Sequence, residues 1–525
     1  MARDVYLLQE GPMSNESAGL SGELPLSVST PAKERYERNL AQAAQLLVAY
    51  QQGEPNAVAQ FVEHHPQGST PDFIPTLQDA RLLISGRDVR VTNLLLEELT
   101  KEAQALFTAL KARQPSAMAR WINYHPKGQQ SDINALQLVD AQHIVAREQG
   151  LSSWPQLQTH LARLQQASEH LRHPHLTLDH DLKTLHIRCG SDIREALQQC
   201  GFSGDFLEIS NPFPQGRVPP FDPLDPFVRI RSDFIVQSYG ADIPPEYADR
   251  ITMAPDEIRA VEQRLRSLPQ GYERIVLWFE HDPFDQLCLA YLLAHLVNSH
   301  LGNSTLELMQ IDRFPGVNKF IGIGYLCQHA ENLILLWQQR VAITPAMMAF
   351  GARCWHGFTA DNPTALWQLS QEPSPLPLMQ QAMRRMLQEL PWTSNGLSLT
   401  EQLALEIVSR DGPINMARLF HFLNTESEPL PFLGDIMFLA ALRPLWQANV
   451  AALQVTSRDL SEAPMRRERL EITPVGRQLL NGESDWLTLC DADYERWVGG
   501  IQITPKQRHW RWCPQRERPL RLGDG

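Results

Sequence analysis

The sequence predicts a multidomain α and α/β protein: N-terminal helical repeats, a doubly wound, mainly parallel α/β domain, a helical connector and a C-terminal winged-helix-like domain. Three observations predict it. The segment LLVAYQQGEPNAVAQFVEHHPQG at Leu46 aligns without gaps on LFTALKARQPSAMARWINYHPKG at Leu106. Short apolar runs alternate with helical stretches from Thr184 to Arg340, the pattern of parallel strands joined by crossovers. Three helical stretches, a hairpin and a further helix then fill Ser398 to Leu480.

At 525 residues the chain is too long for one core. Hydrophobic residues at 43% and charged residues at 20% fit ordinary globular domains. The net charge of −13 argues against general nucleic-acid binding, which needs a basic face to release counterions. No apolar run reaches the ~18 residues that span a bilayer, and the start lacks a basic region followed by an apolar core, so a cytoplasmic protein with no membrane partner is expected. Seven scattered cysteines without a C-x-x-C pair read as reduced thiols rather than a zinc or disulfide framework.

Residues 1–33, rich in Ser, Glu, Gly and Pro, are expected to form a flexible tail. Residues 34–166 form two units of a stacked helical repeat: Pro55 matches Pro115, Ala57 matches Ala117, His65-Pro66 matches His125-Pro126, and LQDARLLIS at Leu77 matches LVDAQHIVA at Leu138. The stretch AQHIVAREQGLSSWPQLQTHL resembles the closing unit of degenerate ankyrin-like regions in bacterial proteins, so a protein partner is expected to bind through the repeats. The recurring His65 and His125 read as helix-end residues that cap carbonyls or pack beside proline, ahead of a ligand role. Residues 167–183 read as a solvated linker. Its His170, His173, His175 and His180 suggest a metal, but a proline interrupts them and no periodicity aligns the rings.

Residues 184–340 are the α/β domain. TLHIRCG is a strand, and Ser191-Asp192 is expected to cap the helix that follows. DFLEIS, RIVLWFE and STLELMQID are further strands, with helices between them. Residues 341–395 form a helical connector whose Trp355, Phe358 and Trp367 are expected in the core. Residues 396–483 read as winged-helix-like. The third helix there, with Phe432, Leu433, Ile436, Met437, Phe438, Leu439 and Leu442, is too apolar to read bases and is built for burial. The wing arginines Arg466, Arg467 and Arg469 read as a solvated run ahead of a phosphate contact. Residues 484–525, with Trp497, Trp510 and Trp512, are expected to pack back on the body.

The blocks HIRCGSD, WFEHDPFDQL, RFPGVNKFIGIGYL, ELPWTSNGLSLTEQ and LEITPVGRQLLNGESDW occur in this order. Together they resemble a bacterial family defined by a domain of unknown function, numbered eighteen thirty-five, some of whose members look as if they carry the ankyrin-like region in front. The resemblance covers about Thr184 to Gly500 and implies no particular activity. Members often show Gly-Asp after the first strand, where this chain has Gly190-Ser191-Asp192.

Ligands of doubly wound sheets bind beyond the carboxyl ends of the strands. The unusual residues at those ends are Ser191 and Asp192, then Arg217, then Glu280, His281, Asp282 and Asp285, then Arg313. Glu280, His281, Asp282 and Asp285 are the metal candidates, for Mg²⁺ or Mn²⁺, with His281 and Asp282 the catalytic candidates. Ser191, Asp192, Arg217, Glu280, Asp285 and Arg313 are the ligand-binding candidates, for a small anion or nucleotide. Acids at a helix N-terminus also stabilise the helix dipole with no ligand at all. Neither G-x-G-x-x-G after a strand, nor a P-loop, nor G-x-S-x-G is present. Two readings follow: an interaction or regulatory protein with an anion or nucleotide site at the strand ends, or a metal-dependent hydrolase or phosphoryl-transfer enzyme acting on a nucleotide-like substrate.

Overall fold

Side chains alternate across a strand, so Ile275, Leu277 and Phe279 face one side of β3 (Arg274–Glu280) and Val276 and Trp278 the other. Both sides are covered: the first set belongs to one apolar core and the second set to another. That is why the run is continuously apolar. The computed structural model describes residues 30–521 apart from 66, 71–72, 92–93, 127–132, 173–176, 244–247 and 506–509.

The protein is mixed α/β with a mainly parallel five-stranded sheet of order β2-β1-β3-β4-β5. Here β1 is Thr184–Arg188, β2 Asp205–Glu208, β4 Thr305–Ile311 and β5 Val341–Ala342. The first four strands are parallel and β5 runs antiparallel to β4. The sequence reading assigned β5 to the connector, because two exposed residues carry no periodic signal.

Among the described residues, seven α-helices precede the sheet: α1 (Thr30–Gln51), α2 (Pro55–His64), α3 (Leu77–Val89), α4 (Leu96–Lys111), α5 (Pro115–Tyr124), α6 (Leu138–Glu148) and α7 (Trp154–Arg172). Within the α/β region lie α8 (Arg194–Gln199), α9 (Leu224–Tyr239), α10 (Ala248–Thr252), α11 (Ala254–Arg266), α12 (Pro283–Leu296) and α13 (Glu331–Trp337). Then come α14 (Pro345–Thr359), α15 (Thr364–Leu369), α16 (Pro377–Leu387), α17 (Leu399–Asp411), α18 (Met416–Phe422), α19 (Asp435–Leu442) and α20 (Pro444–Gln447). A three-stranded sheet of order β6-β8-β7 joins Ile414–Asn415, Glu468–Ile472 and Leu453–Arg458. The remaining helices are α21 (Pro464–Arg467), α22 (Pro474–Leu480) and α23 (Trp486–Leu489), before two short antiparallel strand pairs. In the last pair Trp512 is buried and its amide donates to Pro391 O at 2.9 Å.

A polar latch occurs in each of the two N-terminal helical units, between α2 and α3 and between α5 and α6. His65 follows α2 and lies 3.3 Å from Asp79, while His125 follows α5 and lies 3.2 Å from Asp140. Each aspartate sits in the first turn of the next helix, and its carboxylate accepts the cap residue's amide, Thr76 N or Gln137 N, at 2.7 Å. His65 stacks on Phe73 and His125 on Trp121.

Two boundaries differ from expectation. α1 starts at Thr30, inside the stretch read as tail, whose residues 1–29 lie outside the described residues. α7 runs through Arg172, so the first part of the expected linker is helix. Beyond it Asp179 is buried, accepting Ser203 N at 2.8 Å and Gly204 N at 2.7 Å and lying 3.0 Å from His186 Nε2. This end of the linker is therefore part of the α/β unit. His173 and His175 lie outside the described residues.

The first helical unit docks on the C-terminal helices through buried charge. Arg418 of α18 donates to Asp79 at 2.6 Å, Gln78 donates to Asp411 O at 2.7 Å, and Arg35 donates to Glu426 O at 3.0 Å. Ser85 Oγ lies 2.7 Å from His421 Nε2. The apolar α19 packs toward the α/β unit, where Gln215 donates to Met437 O at 2.9 Å. No helix among the described residues is long and apolar enough to cross a membrane.

Candidate functional site

The strand order sets the location. The chain leaves β1 for β2 on one side and returns as β3 on the other, so the crevice of this sheet opens between the carboxyl ends of β1 and β3. Those ends are Arg188 and Glu280. Both are fully buried, with Arg188 and Glu280 each at 0% exposure.

Arg188 fills the crevice. Its Nε donates to Asp192 Oδ1 at 3.0 Å and its Nη2 to Asp192 Oδ2 at 2.9 Å, a two-pronged pair. Nη2 also donates to Glu280 Oε1, and Nη1 to Asp285 Oδ1 and to Trp278 O. Burial alone would pull the guanidinium pKa down. The carboxylates of Asp192, Asp285 and Glu280 outweigh that and hold it well above the ordinary arginine value.

The acids have further duties. Asp285 Oδ1 accepts Glu280 N at 2.7 Å and Oδ2 accepts the Cys189 thiol at 2.7 Å. Asp282 is the N-cap of α12, its Oδ1 accepting Phe284 N at 2.9 Å and Asp285 N at 3.3 Å. The proline at the first helical position suits that start. Gln286 donates to Glu280 O and accepts from Gln310 at 3.0 Å, tying β3 to β4.

The segment between β4 and α13 closes over this group. A Cβ on Gly322 would lie 3.1 Å from Glu280 Oε2, and one on Gly324 would lie 2.8 Å from Asp192 Oδ2. Absent side chains at these two positions let the backbone approach the carboxylates. The same segment is pinned outside: Gly316 N donates to Gln149 O at 3.2 Å, and Lys319 Nζ to Glu428 O at 3.0 Å. Glu428 in turn holds Arg385 through both carboxylate oxygens, at 2.8 and 2.7 Å. Cys327, within the same segment, has its thiol pushed up to about 12 by burial, with Asp192 adding to the shift.

Three of the four metal candidates converge. Carboxylate oxygens of Glu280, Asp282 and Asp285 lie within 4.8 Å of one another, and all three residues are buried. His281 is not in that group, and its ring centroid lies 5.6 Å from that of Phe320. The three acids are a fit for a hard cation in donor type. However, Glu280 and Asp285 already bind Arg188 and Asp282 caps α12, so an ion would compete for engaged oxygens.

Of the other candidates, Asp192 joins this group through Arg188, whereas Ser191, Arg217 and Arg313 do not gather there. Ser191 does not cap α8, because the helix begins at Arg194 with Ile193 in the cap position. Ser191 instead offers its carbonyl to Arg194 N at 3.0 Å, and Asp192 turns to Arg188. Arg217 is exposed and lies over Trp497, 5.1 Å from the ring centroid. Arg313 is 80% exposed beside Asp312. Sequence reasoning missed Arg188, Gln286, Gly322 and Gly324. Arg188 did carry a signal: a charge inside an apolar strand must find a counter-charge when buried.

No family model matches the chain, and neither a curated protein nor a solved structure does.

Proposed function

We propose that the chain is an interaction or regulatory protein whose strand-end crevice is an internal clasp. The observation that carries this reading is Arg188, which occupies the crevice with its guanidinium engaged by Asp192, Glu280 and Asp285. An anion arriving there would meet carboxylates in place of a vacant guanidinium. A solvent-borne substrate would meet a closed wall, since Arg188, Glu280, Asp282 and Asp285 are each at 0% exposure. The clasp joins the sheet to the segment that touches both the second helical unit and Glu428, so it holds three regions in register.

The finer architecture belongs to the same proposal. The two N-terminal units are read as ankyrin-like repeats, on the strength of their matching His–Asp latches. The first unit already acts as a binding element inside the molecule, through Asp79 and Arg81. The second carries exposed Leu138 and Val139 where the first has Leu77 and Gln78, which supports a protein partner at that unit. The C-terminal unit is read as winged-helix-like, with its third helix α19 turned to the α/β unit and away from nucleic acid. Membership in family eighteen thirty-five is supported by the meeting of three resembling blocks, at Arg188, at Glu280 to Asp285 and at Gly322 to Gly324, in one cluster.

The second reading, a metal-dependent hydrolase or phosphoryl-transfer enzyme using Mg²⁺ or Mn²⁺, is favoured by the convergence of Glu280, Asp282 and Asp285. One experiment separates the two. Thermal unfolding of the wild type and of Asp282→Ala is followed with and without Mn²⁺, Mg²⁺ and a panel of nucleotides. A clasp predicts no ligand-dependent rise in midpoint. A rise in the wild type that Asp282→Ala abolishes would place an ion at the acids and favour the enzyme, since a ligand at a hundredfold excess stabilises by about 2.7 kcal/mol.

A further inference from the structure

A cavity of about 420 Å³ lies away from the strand ends, where the end of α9 meets α19, α20 and the β7–β8 hairpin. Its wall combines three arginines, Arg443, Arg458 and Arg467, with two acids, Asp242 and Glu468. Trp446 and Leu460 supply apolar surface, and Leu460 is 74% exposed.

The charges are unevenly matched. Arg443 is paired with Asp242 and donates to Ser238 O at 3.3 Å. Arg458 is paired with Glu468 at 3.3 Å. Arg467 has no side-chain ion pair or hydrogen bond among the described residues, and its Nε is buried. Burial also pulls the pKa of Arg443 below the ordinary arginine value, against the opposing field of Glu468. In a chain of net charge −13 this wall therefore carries one cation more than it carries anions. A half-buried guanidinium without a partner has a planar fork of donors suited to one carboxylate. The ring of Trp446 and the exposed Leu460 side chain suit a flat apolar body beside it.

We propose that this cavity is a binding site for an organic monoanion, one carboxylate carried on a flat apolar body. The carboxylate pairs with Arg467 and the body lies against Trp446 and Leu460. Because the wall is shared between the end of α9 and the C-terminal unit, such a ligand would bridge the two. The site is independent of the strand-end clasp, so the outcome of the Mn²⁺ and nucleotide experiment does not bear on it.

The test is isothermal titration of the full chain near neutral pH with naphthylacetate, and with its uncharged counterpart naphthylethanol. Saturable binding of the acid is expected, weakened at least about tenfold in Arg467→Gln and by high salt, as for a charge-assisted pair. Arg467→Lys should retain part of the affinity, and naphthylethanol should bind much more weakly than the acid. Circular dichroism melting establishes that each variant folds. If Arg467→Gln does not fold, Arg458→Gln, at a side chain 51% exposed, tests the same positive field. No saturable binding of naphthylacetate, equal binding of the alcohol, or an affinity untouched in the folded arginine variants would overturn the proposal.

Discussion

Arg81 of α3 and Asp411, the last residue of α17, form a two-pronged ion pair at 2.8 and 2.6 Å across 330 positions of sequence. Both side chains are almost wholly buried, at 2% and 1% exposure. Glu426 lies 3.2 Å from the same guanidinium, whose carbon stands 3.7 Å from the centroid of the Phe422 ring. Arg81→Met should destabilise the protein by about 3–5 kcal/mol, because it leaves Arg410 alone to balance the two buried carboxylates of Asp411 and Glu426. Adding Asp411→Leu should restore part of the loss. Urea unfolding of the single and double variants gives the comparison.

The same seam should respond to acid. Burial, helped by Arg81, Arg418 and Arg90, pulls His421 down from 6.5 to about 3 in the folded protein. A base with a lowered folded pKa contributes fully above its unfolded value, and that contribution is lost as pH falls from 6.5 toward 3. His160, lowered to about 4, adds to the same limb. His421→Gln should therefore lose less stability than the wild type between pH 6.5 and 5, by up to about 1.4 kcal/mol per pH unit. Identical slopes for the two proteins would remove His421 from the explanation.

Glu406 has the opposite sign. Burial raises its carboxyl from 4.5 to about 7, although Gln402 donates to it at 2.7 Å. The protonated form is favoured by folding, so its contribution is complete below pH 4.5 and is lost as pH rises through 7. Glu406→Gln should raise stability at pH 8 by roughly 1–3 kcal/mol and change it little at pH 4. Denaturant midpoints at the two pH values are the measurement.

Closure over the strand ends should depend on two glycines. In Gly324→Ala the added methyl would sit 2.8 Å from Asp192 Oδ2, and in Gly322→Ala it would sit 3.1 Å from Glu280 Oε2. Each should cost about 1–3 kcal/mol, as overpacking against a fixed partner does. Each should also speed alkylation of Cys327, whose half-buried thiol reacts slowly while the segment stays closed. Unchanged melting and alkylation in both variants would mean that the segment yields freely.

What was legible in the sequence was periodic. The run Ile275 to Phe279, followed by Asp282-Pro283 and an apolar helix, announces β3, its cap and α12, and the structure has all three. The mixed α/β class followed from such runs. Arg188 was hidden because its partners stand four, ninety-two and ninety-seven positions away, and only the sheet order brings them together. Gly322 and Gly324 were hidden for a different reason: a glycine announces freedom of the backbone, and it does not say what comes close. Arg217 and Arg313 were misplaced because the end of a strand fixes a Cα and leaves a long side chain free to turn to Trp497 or to solvent. The linker was misread since Asp179 is as polar as any loop residue, and its burial depends on amides offered by Ser203 and Gly204.

The span between Arg81 and Asp411 has a consequence for the order in which the molecule is assembled. A chain made from its N-terminus at about 5–20 residues per second presents Arg81 roughly 15–65 s before Asp411 exists. Through that interval the first helical unit displays an unmatched guanidinium and the Asp79 carboxylate, on a surface that only the finished C-terminal helices can cover. Ribosome-bound nascent chains stopped before Asp411 should therefore expose α3 to proteases that the released protein resists.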